Sequence, residues 1–273
     1  MPYFTTSDGT QLFYRDWGTG RPVVLSHGWP LSGDAWDVEL KLLADHGYRA
    51  IAHDRRGHGR SDQPFAGNDM DTYARDLAEL VDHLDLRDLV VVGHSTGGGE
   101  AVRYAARHGQ GRVTKVVTAG AVPPVMVQSE SNPEGTPLSA FDDIRAGLLA
   151  DASQFYRDLA YPFFGANREG SQVSEGAREQ FWRLGMAAGL HNAYECVKAF
   201  SETDFTEDLK ALDVPILIAH GDDDQIVPIH DAAQKAIELV AHGTLKVYPG
   251  APHGVYGAYR TAFDADLLEF IRS

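Results

Sequence analysis

The sequence predicts one doubly wound α/β domain carrying a helical insertion, on three observations. Short β-branched runs alternate with longer segments of helical apolar spacing. Most of those runs are apolar at consecutive positions, as strands buried on both faces of a parallel sheet are. The alternation lapses between Val122 and Leu212, where helical segments follow one another without strands.

Gln11 to Trp17 alternates polar and apolar residues, which predicts an antiparallel edge strand with one wet face. Further strands are predicted at Val23 to Ser26, Ala50 to His53, Leu89 to Val92, Val113 to Thr118, Ile216 to Ala219 and Leu245 to Tyr248. Helical spacing covers Ala35 to His46, Thr72 to Leu84, Glu100 to Arg107, Ile229 to Val240 and Thr261 to Ile271, with Asp or Thr near several starts. Within the lapse, helices are predicted at Phe141 to Ala150, Ala152 to Leu159, Glu175 to Ala188 and Asn192 to Phe200. Ligands bind beyond the carboxyl ends of strands in open parallel sheets, so an insertion leaving the strand that ends at Thr118 would roof that site. Phe141, Phe155, Leu159, Phe163 and Phe164 would make the roof apolar, or form the insertion's own core.

No Pro/Ser-rich linker divides the 273 residues, which predicts one domain over 1–273 with a helical cap at about 123–212. Acidic residues outnumber basic ones 39 to 24, a net charge of -15 that repels polyphosphate and argues against nucleic acid. No run approaches the about 18 apolar residues of a membrane span, and Met1 to Thr10 lacks the regions of a signal peptide, so a cytoplasmic protein without a membrane partner is expected. The single cysteine, Cys196, cannot form an internal disulfide and is expected to be buried in the cap. Twelve histidines form no metal-ligand spacing, and His46, His83, His108, His191 and His242 read as surface or loop residues.

Chemistry enters at Gly93-His94-Ser95-Thr96-Gly97, between the apolar run Leu89–Val92 and a helical stretch. A sharp strand-to-helix turn forces its middle residue into a strained backbone, and flanking glycines remove the Cβ atoms that would clash. Ser95 is therefore predicted to be a nucleophile, with the helix N-terminus facing the oxyanion that forms beside it. A serine nucleophile needs a base, and the base an acid. Downstream, at two further strand ends, lie Gly221-Asp222-Asp223-Asp224-Gln225 and Gly250-Ala251-Pro252-His253-Gly254. His253 is the predicted base; three consecutive aspartates leave the acid open. His94 is expected to pack behind the elbow. The oxyanion hole needs one backbone donor from the residue after the nucleophile, Thr96, and one from an earlier loop. Ser26-His27-Gly28-Trp29-Pro30 supplies the second at the Trp29 N–H.

Together with Asp54-Arg55-Arg56-Gly57-His58-Gly59-Arg60-Ser61, Asn132-Pro133-Glu134-Gly135, Thr203-Asp204-Phe205 and Asp224-Gln225-Ile226-Val227-Pro228, these segments resemble the cofactor-free (non-haem) haloperoxidases, or bacterial perhydrolases, and the related aryl esterases and γ-lactamases. The resemblance runs nearly end to end. It implies an α/β-hydrolase fold with a mostly parallel eight-stranded sheet, helices on both faces and a helical cap. It implies Ser95, Asp224 and His253 as a triad, and oxyanion donors at Trp29 and Thr96. It also implies an acyl pocket near Trp29, Val122, Met126, Ile144, Leu159, Phe163, Ile226 and Ile229. No cofactor or metal is implied. The expected activity is hydrolysis of aryl or short-acyl esters through an acyl-enzyme, with hydrogen peroxide as a second acyl acceptor. Amide or γ-lactam cleavage is the neighbouring alternative and a non-catalytic ligand receptor the remote one. Homo-oligomers are compatible with the sequence.

Overall fold

A computed structural model describes residues 2–254 and 259–273. Eight strands form one sheet: β1 (Tyr3–Thr5), β2 (Gln11–Trp17), β3 (Pro22–Ser26), β4 (Arg49–His53), β5 (Leu89–His94), β6 (Val113–Ala119), β7 (Ile216–Gly221) and β8 (Gly243–Tyr248). Their order is β1-β2-β4-β3-β5-β6-β7-β8. β2 runs antiparallel to both β1 and β4, and the remaining pairs are parallel.

Two expectations about the sheet edges change. β2 is not the edge strand: β1 pairs outside it, and three residues are too short a run to signal a strand in the sequence. β8 is the other edge, and most of its residues are exposed, so its apolar run does not mark burial on both faces.

Successive side chains of a strand point to opposite faces, which sorts the apolar runs into two layers. Val24, Ile51, Val91, Val116 and Ile218 face α2 (Met70–His83), α3 (Thr96–Arg107), α7 (Thr206–Lys210) and α8 (Ala233–Leu239). Val23, Leu25, Val90, Val92, Val117 and Leu217 face α1 (Asp37–Asp45) and α9 (Arg260–Arg272). Capping follows the sequence at α2, where the Asp69 carboxylate accepts the Thr72 N–H at 2.9 Å. The short α7 carried no periodic signal, and α8 starts at Ala233, four residues later than expected.

Between β6 and β7 lie α4 (Leu138–Phe163), α5 (Glu175–Met186), α6 (Leu190–Ser201) and α7. α4 breaks at Asp151, the residue between the two helices expected there; its backbone is extended, and its carboxylate caps the second half by accepting the Gln154 N–H at 2.9 Å. α4, α5 and α6 share a third apolar cluster with Tyr73 from α2 and with Trp29 and Val227 from the sheet's carboxyl-end loops. The cluster holds Cys196, which is fully buried. Among the described residues no helix is long and apolar enough to cross a membrane.

Candidate active site

Ser95 joins β5 to α3 with φ 55° and ψ -122°, a left-handed conformation that side chains rarely adopt. Three bonds hold it there. Its N–H donates to Ala119 O at 3.0 Å, and its carbonyl accepts the Gly98 N–H at 2.9 Å and the Val122 N–H at 3.4 Å. The flanking glycines answer to contact: a Cβ on Gly93 would collide with the Gly97 carbonyl, and one on Gly97 with the carbonyls of Ser26 and His27. The glycine after the elbow thus lets α3 approach the loop that follows β3.

Asp224, from the loop after β7, and His253, from the loop after β8, meet at 2.7 Å between Oδ2 and Nδ1. A carboxylate can only accept, so Nδ1 carries the hydrogen and Nε2 keeps a lone pair. Asp224 Oδ1 also accepts the N–H groups of Ile226 at 2.9 Å and Val227 at 2.8 Å. His220 Nε2 stands 3.3 Å from Oδ2 while donating to Val227 O at 2.8 Å. Burial alone would raise the Asp224 carboxyl; the His253 ring and the bonds from His220 and His253 outweigh it and hold the group well below the ordinary carboxylate range. The acid loop is thereby resolved. Asp222 accepts the Gly250 N–H, Asp223 pairs with Arg168, and only Asp224 reaches the histidine.

His94 lies behind the elbow, its Nε2 donating to His253 O at 3.1 Å and its ring centroid 4.7 Å from that of His253. Ser95 and His253 line one cavity but do not hydrogen-bond to each other. Such bonds often close only around substrate.

In the loop after β3, the Trp29 indole donates to Ala193 O at 3.0 Å, fixing the residue against α6. Among the described residues neither the Trp29 nor the Thr96 backbone N–H donates to a protein carbonyl, so both amides stay available.

The cavity has a volume of about 260 Å³. Trp29, Thr96, Val122, Met126, Ile144, Leu159, Phe163 and Ile226 line it beside Ser95 and His253. Ile229 does not. It turns beneath the sheet into the cluster of α7 and α8 with Leu209 and Ala233, because the chain reverses at Pro228. Of the aromatic residues expected in the roof, Phe141 and Phe163 face the cavity, whereas Phe155 packs on Trp29 and Phe164 on Phe163.

Sequence reasoning missed Thr136, Ala140, Phe200, Gln225, Val227 and Pro228 on the cavity wall. Gln225 exchanges two hydrogen bonds with Asn167, at 2.9 and 3.1 Å, tying the acid loop to the cap. The Asn-Pro-Glu-Gly segment held the signal for Thr136: the Asn132 amide donates to the Val125 and Val127 carbonyls and folds this loop over Met126. A larger open groove of about 540 Å³, between Phe65–Asp69 and α6, contains neither Ser95 nor His253.

Known proteins share this fold. The alpha/beta hydrolase fold family model matches residues 21–257. The chain is 59% identical to a non-heme haloperoxidase of Rhodococcus erythropolis, with 100% of both chains covered. It is 50% identical to a bifunctional esterase/perhydrolase of Acinetobacter calcoaceticus, again over 100% of both. A bromoperoxidase from Bacillus anthracis superposes with a TM-score of 0.94 at 38% identity, covering 97% of this chain and 96% of that one.

Proposed function

Because the chain belongs to the non-heme haloperoxidase and perhydrolase family of alpha/beta hydrolases, we propose that it cleaves aryl and short-acyl carboxylic esters through an acyl-enzyme on Ser95, and passes the acyl group to hydrogen peroxide as well as to water. The hydrogen-bonded Asp224–His253 pair beside a strained Ser95 in an apolar cavity carries the reading.

His253 Nε2 takes the Ser95 proton as Oγ attacks the ester carbonyl, and Asp224 stabilises the resulting imidazolium. The Trp29 and Thr96 N–H groups receive the oxyanion. Collapse expels the alcohol, which takes the proton from His253. Water then attacks the acyl-enzyme, giving acid and free serine. When hydrogen peroxide attacks instead, His253 accepts its proton, the Ser95 oxygen leaves and recovers that proton, and a peracid departs. The peracid oxidises halide in solution to hypohalous acid and is itself reduced to the carboxylic acid.

Small apolar acyl groups fit about 260 Å³ of mostly apolar wall. The acidic chain, with net charge -15, favours neutral esters and peroxide over polyanions. A cytoplasmic setting and a single domain whose helical cap roofs the site belong to the same reading. The Ser95→Ala variant tests it: hydrolysis of p-nitrophenyl acetate and bromination from acetate plus peroxide should disappear together. Bromination that survives would require a second site.

A further inference from the structure

Behind the oxyanion loop lies a buried polar network that the triad does not use. Glu100, on the second turn of α3, is fully buried and accepts from three sides: His53 Nε2 at 2.8 Å, Ser26 Oγ at 2.9 Å and Arg55 Nε at 2.7 Å. Burial opposes the charge on Glu100, but Arg55 and then His53 overcome it and bring the carboxyl down to about 2. The same Arg55 side chain reaches past the carboxylate. Its Nη2 donates to His27 O at 2.7 Å and to Ser26 Oγ at 3.1 Å.

His27 carries the constraint one residue further. Its Nε2 accepts the backbone N–H of Arg55 at 3.0 Å, so that nitrogen holds a lone pair and Nδ1 the hydrogen. Burial, with the Arg55 charge next, pushes the His27 ring well below its ordinary value and keeps it neutral. Nδ1 then donates to Gly28 O at 2.9 Å, and Leu31 N–H donates to the same oxygen at 2.9 Å. The peptide joining Gly28 to Trp29 is trans and planar, so its C=O and N–H point in opposite directions. Holding the Gly28 carbonyl back in the loop aims the Trp29 N–H outward.

We propose that the Arg55–Glu100 ion pair, acting through His27, is the positioning element of the oxyanion hole. Arg55 and Glu100 touch no substrate; they fix the plane of the Gly28–Trp29 peptide before the oxyanion forms. A donor held in place beforehand needs no reorganisation at the moment of reaction, and loss of one such donor costs on the order of 100- to 1000-fold in rate. This rests on the Trp29 amide being an oxyanion donor, as read above.

The test uses Arg55→Lys, which keeps a charge beside Glu100 but cannot also span to Ser26 and the His27 carbonyl. Removing one partner of a buried pair strands the other charge, so the double variant Arg55→Met/Glu100→Leu, which removes both, accompanies it. Both should keep KM for p-nitrophenyl acetate within about threefold and lose kcat by about 10- to 100-fold, part of the full donor loss. In wild-type enzyme carrying ¹⁵N-tryptophan, phosphonylation of Ser95 should move the Trp29 amide resonance downfield; in both variants that displacement should shrink. A wild-type displacement retained in full by folded variants overturns the role of Arg55 and Glu100 alone. No displacement in the wild type overturns the Trp29 assignment and the proposal with it.

Discussion

Nδ1 of His253 lies 2.7 Å from Oδ2 of Asp224, while the neighbouring carboxylates of Asp222 and Asp223 are engaged elsewhere. One of three adjacent aspartates therefore sets the tautomer of His253. Asp224→Asn should lower kcat on p-nitrophenyl acetate by on the order of 10⁴, since an amide NH₂ facing Nδ1 favours the wrong tautomer. Asp223→Asn should leave turnover near wild type, because its partner Arg168 is half-exposed. A larger loss from Asp223→Asn would reassign the acid.

Gly97→Ala should destabilise the fold as well as slow it. Alanine inside a helix normally gains about 0.5–1 kcal/mol over glycine. Here the added Cβ would collide with the Ser26 and His27 carbonyls, and overpacking costs about 1–3 kcal/mol. Net loss of stability on denaturant unfolding is expected, together with a fall in kcat as the oxyanion loop is displaced. Unchanged unfolding would mean that the elbow and this loop can separate freely.

Ile144 stands on α4 facing the cavity with Val122 and Met126. Ile144→Ala should raise kcat/KM for hexanoate relative to acetate esters, by about tenfold, as one or two methylenes in an apolar pocket are worth about 1–3 kcal/mol. Ile144→Trp should shift preference the other way. An unchanged chain-length profile in both would place the acyl group elsewhere.

Glu39 on α1 is fully buried; burial raises its carboxyl from 4.5 to about 7, against the opposing charge of Arg260, and Asp264 adds to the rise. Between those values the folded protein holds a proton that the unfolded chain has released, so stability falls as pH rises from about 4.5 to 7. A shift of that size corresponds to about 3 kcal/mol. Glu39→Gln cannot ionise and keeps an oxygen for Arg260 Nε, which lies 3.2 Å from Glu39 Oε1. Its Tm should exceed that of wild type at pH 8 and match it near pH 4.5. Parallel Tm profiles across that range would show that Glu39 ionises at its ordinary value.

Much of the site was legible because its signals are local. The elbow is written in five consecutive residues: the close approach of Gly93 to Gly97 falls within them, and the missing Cβ of Gly97 admits the Ser26 and His27 carbonyls of a distant loop. The apolar runs mark strands because period and burial act along one segment. Even the break in α4 at Asp151 showed as an interruption of helical spacing.

The sequence by itself therefore determined the layered α/β sheet, the serine at its elbow, and an acid loop and a histidine loop at two further strand ends. Only the tertiary structure decided which aspartate meets His253, that Ile229 turns into the cluster of α7 and α8, and that Arg55 and Glu100 meet behind the loop that follows β3. The first and last of these depend on contacts between residues 29 and 45 positions apart in the chain, whose directions are set by how strands and helices pack rather than by any local pattern.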